Sequence, residues 1–155
     1  MKKILIVLVL SSILFPFCVF SASPDKLSVY SLDGEKVPFE KLVGSSERTA
    51  FLIWTTWCGY CREELDRFFQ KCPFIDNMDI YLLDMGENAA AVNNYLAQKK
   101  TTDCMRSKVY LDKNLSVSNE FNIPGVPTYL FFKNGEFVDY SHYINDEVIK
   151  YIYGE

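Results

Sequence analysis

Residues 50–72 constrain the fold more than any other stretch. Ala50–Trp54 is a continuous apolar run, the pattern of a strand covered on both faces. Immediately after it the period changes. Leu65, Phe68, Phe69 and Cys72 fall at i, i+3, i+4 and i+7, which predicts a helix whose apolar stripe faces a core and which ends at Pro73. Between the two elements sits Trp57-Cys58-Gly59-Tyr60-Cys61. A buried strand that feeds a helix through two cysteines restricts the chain to an α/β architecture and places thiol chemistry at its turn.

The rest of the chain continues that alternation. Leu27–Tyr30 and Lys36–Phe39 flank Asp33-Gly34, a short hairpin signal. Asp79–Asp84 is a second buried strand, and Asn88 caps a second helix with Val92, Tyr95 and Leu96 inward and Lys99-Lys100 at its end. Lys108–Leu111 reads as a short strand and Asn114–Phe121 as a less regular helix, closed by Asn122-Ile123-Pro124-Gly125. Thr128–Phe132 and Glu136–Tyr140 are joined by the hairpin turn Asn134-Gly135, and Asn145 caps a last helix using Val148, Ile149 and Ile152. Strands alternating with helices, then a hairpin and a final helix, give a mixed sheet with helices on both faces.

Residues 1–21 open Met1-Lys2-Lys3 and continue apolar through Ile4 to Leu10 and Ile13 to Phe20, the build of an export signal. Cleavage after Ser21, with Val19 and Ser21 at the discriminating positions, is the expected outcome. A retained N-terminal membrane anchor is the alternative, and lipidation of Cys18 is disfavoured by bulky Phe17. Residues 26–155 then form one domain. Of 155 residues, 49% are hydrophobic and 15% aromatic, which is ample for one core and unlike a disordered chain. The formal charge of -4, with no Lys/Arg stripe, argues against nucleic acid as a partner. Outside the leader there are four cysteines, Cys58, Cys61, Cys72 and Cys104, an even number compatible with two disulfides.

The Cys58–Cys61 spacing admits three readings. For zinc, Cys61 and Cys72 stand at opposite ends of the predicted helix, roughly 16 Å apart, whereas thiolates bind one ion at about 2.3 Å. His142, the single histidine, offers no second cluster and reads as a polar residue on an edge strand. A purely structural disulfide would close only two residues and restrain the unfolded chain little. Reversible exchange suits the position better. Cys58 sits where a helix N-terminus favours a thiolate, which makes it the attacking nucleophile, and Cys61, one turn in, resolves the mixed disulfide.

These residues, with Gly125-Val126-Pro127-Thr128 before a later strand, resemble the thioredoxin superfamily over residues 50–153. The Asp33-Gly34 hairpin and the added helix–strand unit at 88–111 are similar to its exported TlpA/ResA-type branch. The resemblance implies a cis Pro127 facing the cysteines and a Val126 backbone that pairs with a substrate strand. Trp57, Gly59 and Tyr60 flank the reactive sulfur. It also implies a membrane thiol-shuttling electron donor and cysteine-containing exported proteins, apocytochrome c among them, as substrates. No metal, flavin or nucleotide cofactor is indicated, and a monomer is expected.

Two departures stand out. The superfamily's buried strand aspartate falls here on Leu52, and TlpA/ResA-type proteins instead place an acid three residues after the second cysteine, here Glu64. That spacing puts Glu64 on the face of Cys61, where it can accept a proton and raise a nearby thiol's pKa. Tyr60 replaces the proline of thioredoxins and leaves the direction open between reductase, oxidant and isomerase; a peptide-binding module on the same fold is a further alternative. Cys72 and Cys104 approach one another at the far edge of the inferred sheet, and a structural disulfide is expected there.

Overall fold

The computed structural model describes residues 27–154. The leader reading of residues 1–21 lies outside the described residues. Among them, no helix is long and apolar enough to cross a membrane.

The central strand is β3 (Arg48–Trp54), and its alternation divides the core. Ala50, Leu52 and Trp54 point to one face, Phe51 and Ile53 to the other, and all five are fully buried. A strand apolar on both faces is stable only at the centre of a covered sheet. Parallel β5 (Met78–Asp84) lies on one side of it and antiparallel β7 (Thr128–Lys133) on the other. With β1 (Ser28–Ser31), β2 (Lys36–Pro38), β6 (Val109–Leu111) and β8 (Glu136–Ser141), the order is β2-β1-β6-β5-β3-β7-β8. A two-residue β4 (Phe74–Ile75) pairs with the start of β5.

Helices cover both faces. On one lie α2 (Gly59–Asp66), α3 (Ala89–Gln98), α4 (Asp103–Ser107) and α6 (Asp146–Tyr153), through Leu65, Val92, Leu96, Met105 and Ile149. On the other lie α1 (Phe39–Val43) and α5 (Ser116–Glu120), through Phe39, Leu42, Val43 and Val117. Asn88 and Asn145 cap α3 and α6 as expected, each side chain accepting an N–H three residues on.

Several expectations are corrected. The helix predicted to run to Pro73 ends at Asp66. Residues 67–71 continue as tight turns, with Phe68 N–H bonding Leu65 O and Lys71 N–H bonding Phe68 O, so Phe68 and Phe69 stay buried without helical continuity. Phe39 starts α1 rather than finishing β2: Pro38 closes β2 opposite Ser28 and is at once the N-cap of α1, with the Phe39 N–H still bonding Leu27 O. The β4–β5 hairpin turns through Asp76 and Asn77, both at positive φ, a turn the sequence reading passed over. Cys104 lies on the short helix α4, which directly precedes β6.

Among the described residues the cysteines form two bonds, Cys58–Cys61 and Cys72–Cys104, with Cα atoms 5.3 and 5.2 Å apart. The second ties the segment after α2 to α4, beside a bond from Thr102 N–H to Phe69 O.

Candidate active site

β3 and β5 end side by side, Trp54 opposite Asp84, and the loops leaving their C-terminal ends build the site. In parallel sheets this edge is where connections open a crevice. Cys58 is the N-cap of α2. Its Sγ accepts the Cys61 N–H at 3.1 Å, so the sulfur takes up one of the donors that a helix start leaves unpaired. Negative charge on this sulfur in the reduced protein is favoured by the same donor and by the helix dipole. Cys58 is 6% exposed and Cys61 is fully buried, so of the two residues only the first reaches the surface.

Across from the disulfide, the loop before β7 brings Val126 to it: Cys58 Sγ lies 3.7 Å from Val126 O, and the Val126–Pro127 bond is cis. Trp57 and Tyr60 stand 70% and 77% exposed at the rim, and a side chain added at Gly59 would meet only open space. Beside them an open groove of about 530 Å³ is lined by Thr55, Trp57, Met85, Gly86, Leu115 and Val126. Gly86 has φ +86°, and Leu115 would stand 3.1 Å from a Cβ there, so glycine keeps this wall low.

The loop that carries Cys58 is anchored by an acid the sequence reading passed over. Glu87 accepts the Thr56 N–H at 2.6 Å and the Thr56 hydroxyl at 2.7 Å, while its own N–H bonds Asp84 Oδ1 at 2.9 Å. Asp84 is fully buried. Burial, then the adjacent Glu87 carboxylate, push its pKa up to about 8. Burial works against ionising Glu87 too, but bonding to Asp84 and to Thr56 outweighs that and holds it below the usual range. Asp84 Oδ2 has no partner at ordinary hydrogen-bond distance, and a proton on Asp84 turned toward the Glu87 carboxylate suits both groups.

Glu64 lies one turn beyond Cys61 on α2, its side chain 15% exposed, and its Oε2 accepts the Tyr129 O–H at 2.7 Å. Arg62 and Glu63 point to solvent. His142 lies just past β8 rather than within an edge strand. Its Nδ1 is 2.9 Å from Pro127 O and 3.2 Å from Thr128 Oγ1. The Thr128 hydroxyl donates to Gly125 O, so both oxygens facing His142 are acceptors and Nδ1 carries the proton. Tyr129, Glu87 and His142 had a faint signal at most: a tyrosine inside a buried strand needs a hydrogen-bond partner, which the sequence does not name.

A family profile described as a thioredoxin-like domain matches residues 36–151. The chain belongs to the thioredoxin-like family. A thioredoxin of Malassezia sympodialis is 25% identical over 104 residues, covering 65% of this chain and 73% of that protein. Among solved structures, a secreted Mycobacterium tuberculosis disulfide oxidoreductase homologous to E. coli DsbE superposes with a TM-score of 0.64 at 14% identity, covering 87% of this chain and all of that one. StoA from Bacillus subtilis gives 0.59 at 20% identity, covering 82% and 95%. As a member of this family with its Cys58–Cys61 pair in place, the thioredoxin-like chain is a thiol:disulfide oxidoreductase.

Proposed function

We propose that this thioredoxin-like chain is an exported reductase of protein disulfides. The observation that carries the reading is the placement of Cys58: a helix N-cap, at the mouth of the sheet edge, with its sulfur beside the Val126 carbonyl and its partner Cys61 sealed behind it. A substrate strand laid along Val126 would present its disulfide to Cys58, with Pro127 shaping the groove and Trp57, Gly59 and Tyr60 at its rim. The Cys58 thiolate attacks one substrate sulfur, forming a mixed disulfide and expelling the other sulfur as a thiolate. Glu64 accepts the Cys61 proton, and the Cys61 thiolate attacks Cys58 Sγ, reforming the disulfide seen here and releasing the second substrate thiolate. Two electrons pass to the substrate.

The spent protein then requires an external dithiol, for which a membrane thiol-shuttling protein fits a chain led by a signal peptide or membrane anchor at residues 1–21. The substrate class is cysteine-containing exported proteins, with apocytochrome c as the favoured member, and the protein acts as a monomer in the periplasm or at the outer face of the inner membrane. Cys72–Cys104 serves the fold. Reduction of insulin disulfides, with Cys58→Ser as the control, tests the activity. Turnover that Cys58→Ser abolishes supports the reading; peptide binding without turnover would make this a binding module instead.

A further inference from the structure

Tyr129 stands opposite Leu52 in the antiparallel β3–β7 register, so both side chains lie on the face of the sheet that α2 covers. The tyrosine is fully buried, stacked beside Phe131 at 6.1 Å between ring centroids. Its hydroxyl crosses from sheet to helix to reach Glu64 Oε2 at 2.7 Å. Arg67, the residue that caps the C-terminal end of α2, lies 3.7 Å from the same oxygen and donates to Ile144 O at 2.9 Å, which fixes the guanidinium in turn. Among the described residues both contacts of the carboxylate engage Oε2, which leaves Oε1 to exchange a proton.

The phenol is suited to hold an anion. Burial first, and then the bond to Glu64, push its pKa well above the ordinary tyrosine value, so it remains a donor at any working pH. A glutamate on a helix surface samples several rotamers, and each one that carries the carboxylate away from Cys61 is useless for proton transfer. A donor fixed in the sheet removes that freedom.

We propose that Tyr129 is a positioning residue for the exchange reaction: its O–H holds the Glu64 carboxylate one turn from Cys61, ready for the Cys61 proton. The proposal rests on the reading of Glu64 as proton acceptor. The balanced step is transfer of H⁺ from Cys61 Sγ to Glu64, then attack of the Cys61 thiolate on Cys58 Sγ with departure of the substrate thiolate.

The test uses the full-length reduced protein mixed with glutathione disulfide, quenched in acid at successive times, the mixed disulfide on Cys58 being counted by mass. Tyr129→Phe is expected to leave the Cys58 attack rate unchanged and to slow resolution by Cys61 about tenfold or more. Glu64→Gln is expected to slow it at least as much, and the double variant no further. Glu64→Asp keeps the charge but draws the carboxylate back from the phenol. It should behave like Tyr129→Phe, and it decides the matter if that variant does not fold. Slow resolution in Glu64→Gln with a wild-type rate in Tyr129→Phe, or in Glu64→Asp where Tyr129→Phe does not fold, would overturn the proposal and leave Glu64 as the acceptor. Wild-type resolution in Glu64→Gln would overturn the Glu64 reading itself, and the role of Tyr129 with it. A Tyr129→Phe protein that only melts at lower temperature, with both rates intact, would show that the phenol serves packing alone.

Discussion

The two disulfides use the same bond for opposite ends. Cys58–Cys61 spans three positions, so it restrains the unfolded chain little, and its surroundings instead address the sulfurs: a helix N-terminus, the Val126 carbonyl, an acid held by Tyr129 and a loop pinned by Glu87. Cys72–Cys104 spans 32 positions and encloses β4, β5 and α3. Cys104 is exposed and Cys72 partly so, and the neighbouring bonds, Thr102 N–H to Phe69 O and Gln70 to Lys100 O, join backbone to backbone or brace it without addressing a sulfur. On the proposed division of roles, what separates a reactive from a structural bond in this chain is loop length and the groups around the sulfur, not exposure of the bond.

The largest effects should fall on opposite properties. Cys58→Ser is expected to reduce insulin reduction to the uncatalysed rate. Replacing Cys72 and Cys104 together by serine should leave turnover within about twofold while lowering unfolding free energy by about 3–4 kcal/mol, read from urea denaturation. Loss of turnover in the second variant would break the division of roles.

A smaller effect tests the acid beneath the reactive loop. Because the folded pKa of Asp84 is raised from 3.8 to about 8, the native state holds this proton more tightly than the unfolded chain does. Its contribution to stability is complete below about pH 4 and is lost as the pH climbs to about 8. Asp84→Asn removes that loss. Relative to the variant, wild type should become less stable by up to about 1.4 kcal/mol for each pH unit inside the window, measured by urea midpoints at pH 5, 7 and 9. Parallel curves would mean that Asp84 is ionised throughout.

The smallest change concerns the rim. Trp57→Ala removes an exposed side chain, so the melting temperature should stay within a degree or two, while KM for a protein disulfide rises about fivefold. An unchanged KM would take the indole out of the substrate interface.

How much of this was legible in the sequence differs between the two regions. Around Cys58 and Cys61 the local signals agree. An apolar run makes β3, a cysteine in the capping position starts α2, and Leu65 faces the core, so the reading of strand, turn and helix holds. The partners that surround the sulfurs come from distant strands. Tyr129 meets Glu64 across 65 positions and Glu87 meets Thr56 across 31, and both contacts depend on sheet register, which no local pattern carries. Near Cys72 the periodicity of Phe68, Phe69 and Cys72 predicts helix, but Pro73 and the turn-forming bonds of residues 67–71 take over; buried aromatics keep their inward positions in either conformation. The short elements α1, β4 and α4, two to five residues each, are too brief to show a period.

The most direct test of the central claim equilibrates the chain in dithiothreitol and glutathione buffers of graded potential, traps free thiols by alkylation, and maps each cysteine pair by mass. The account predicts that Cys58–Cys61 titrates between about -120 and -270 mV while Cys72–Cys104 stays oxidised to below about -300 mV. Titration of both pairs together, or a Cys58–Cys61 bond that outlasts Cys72–Cys104, would contradict it.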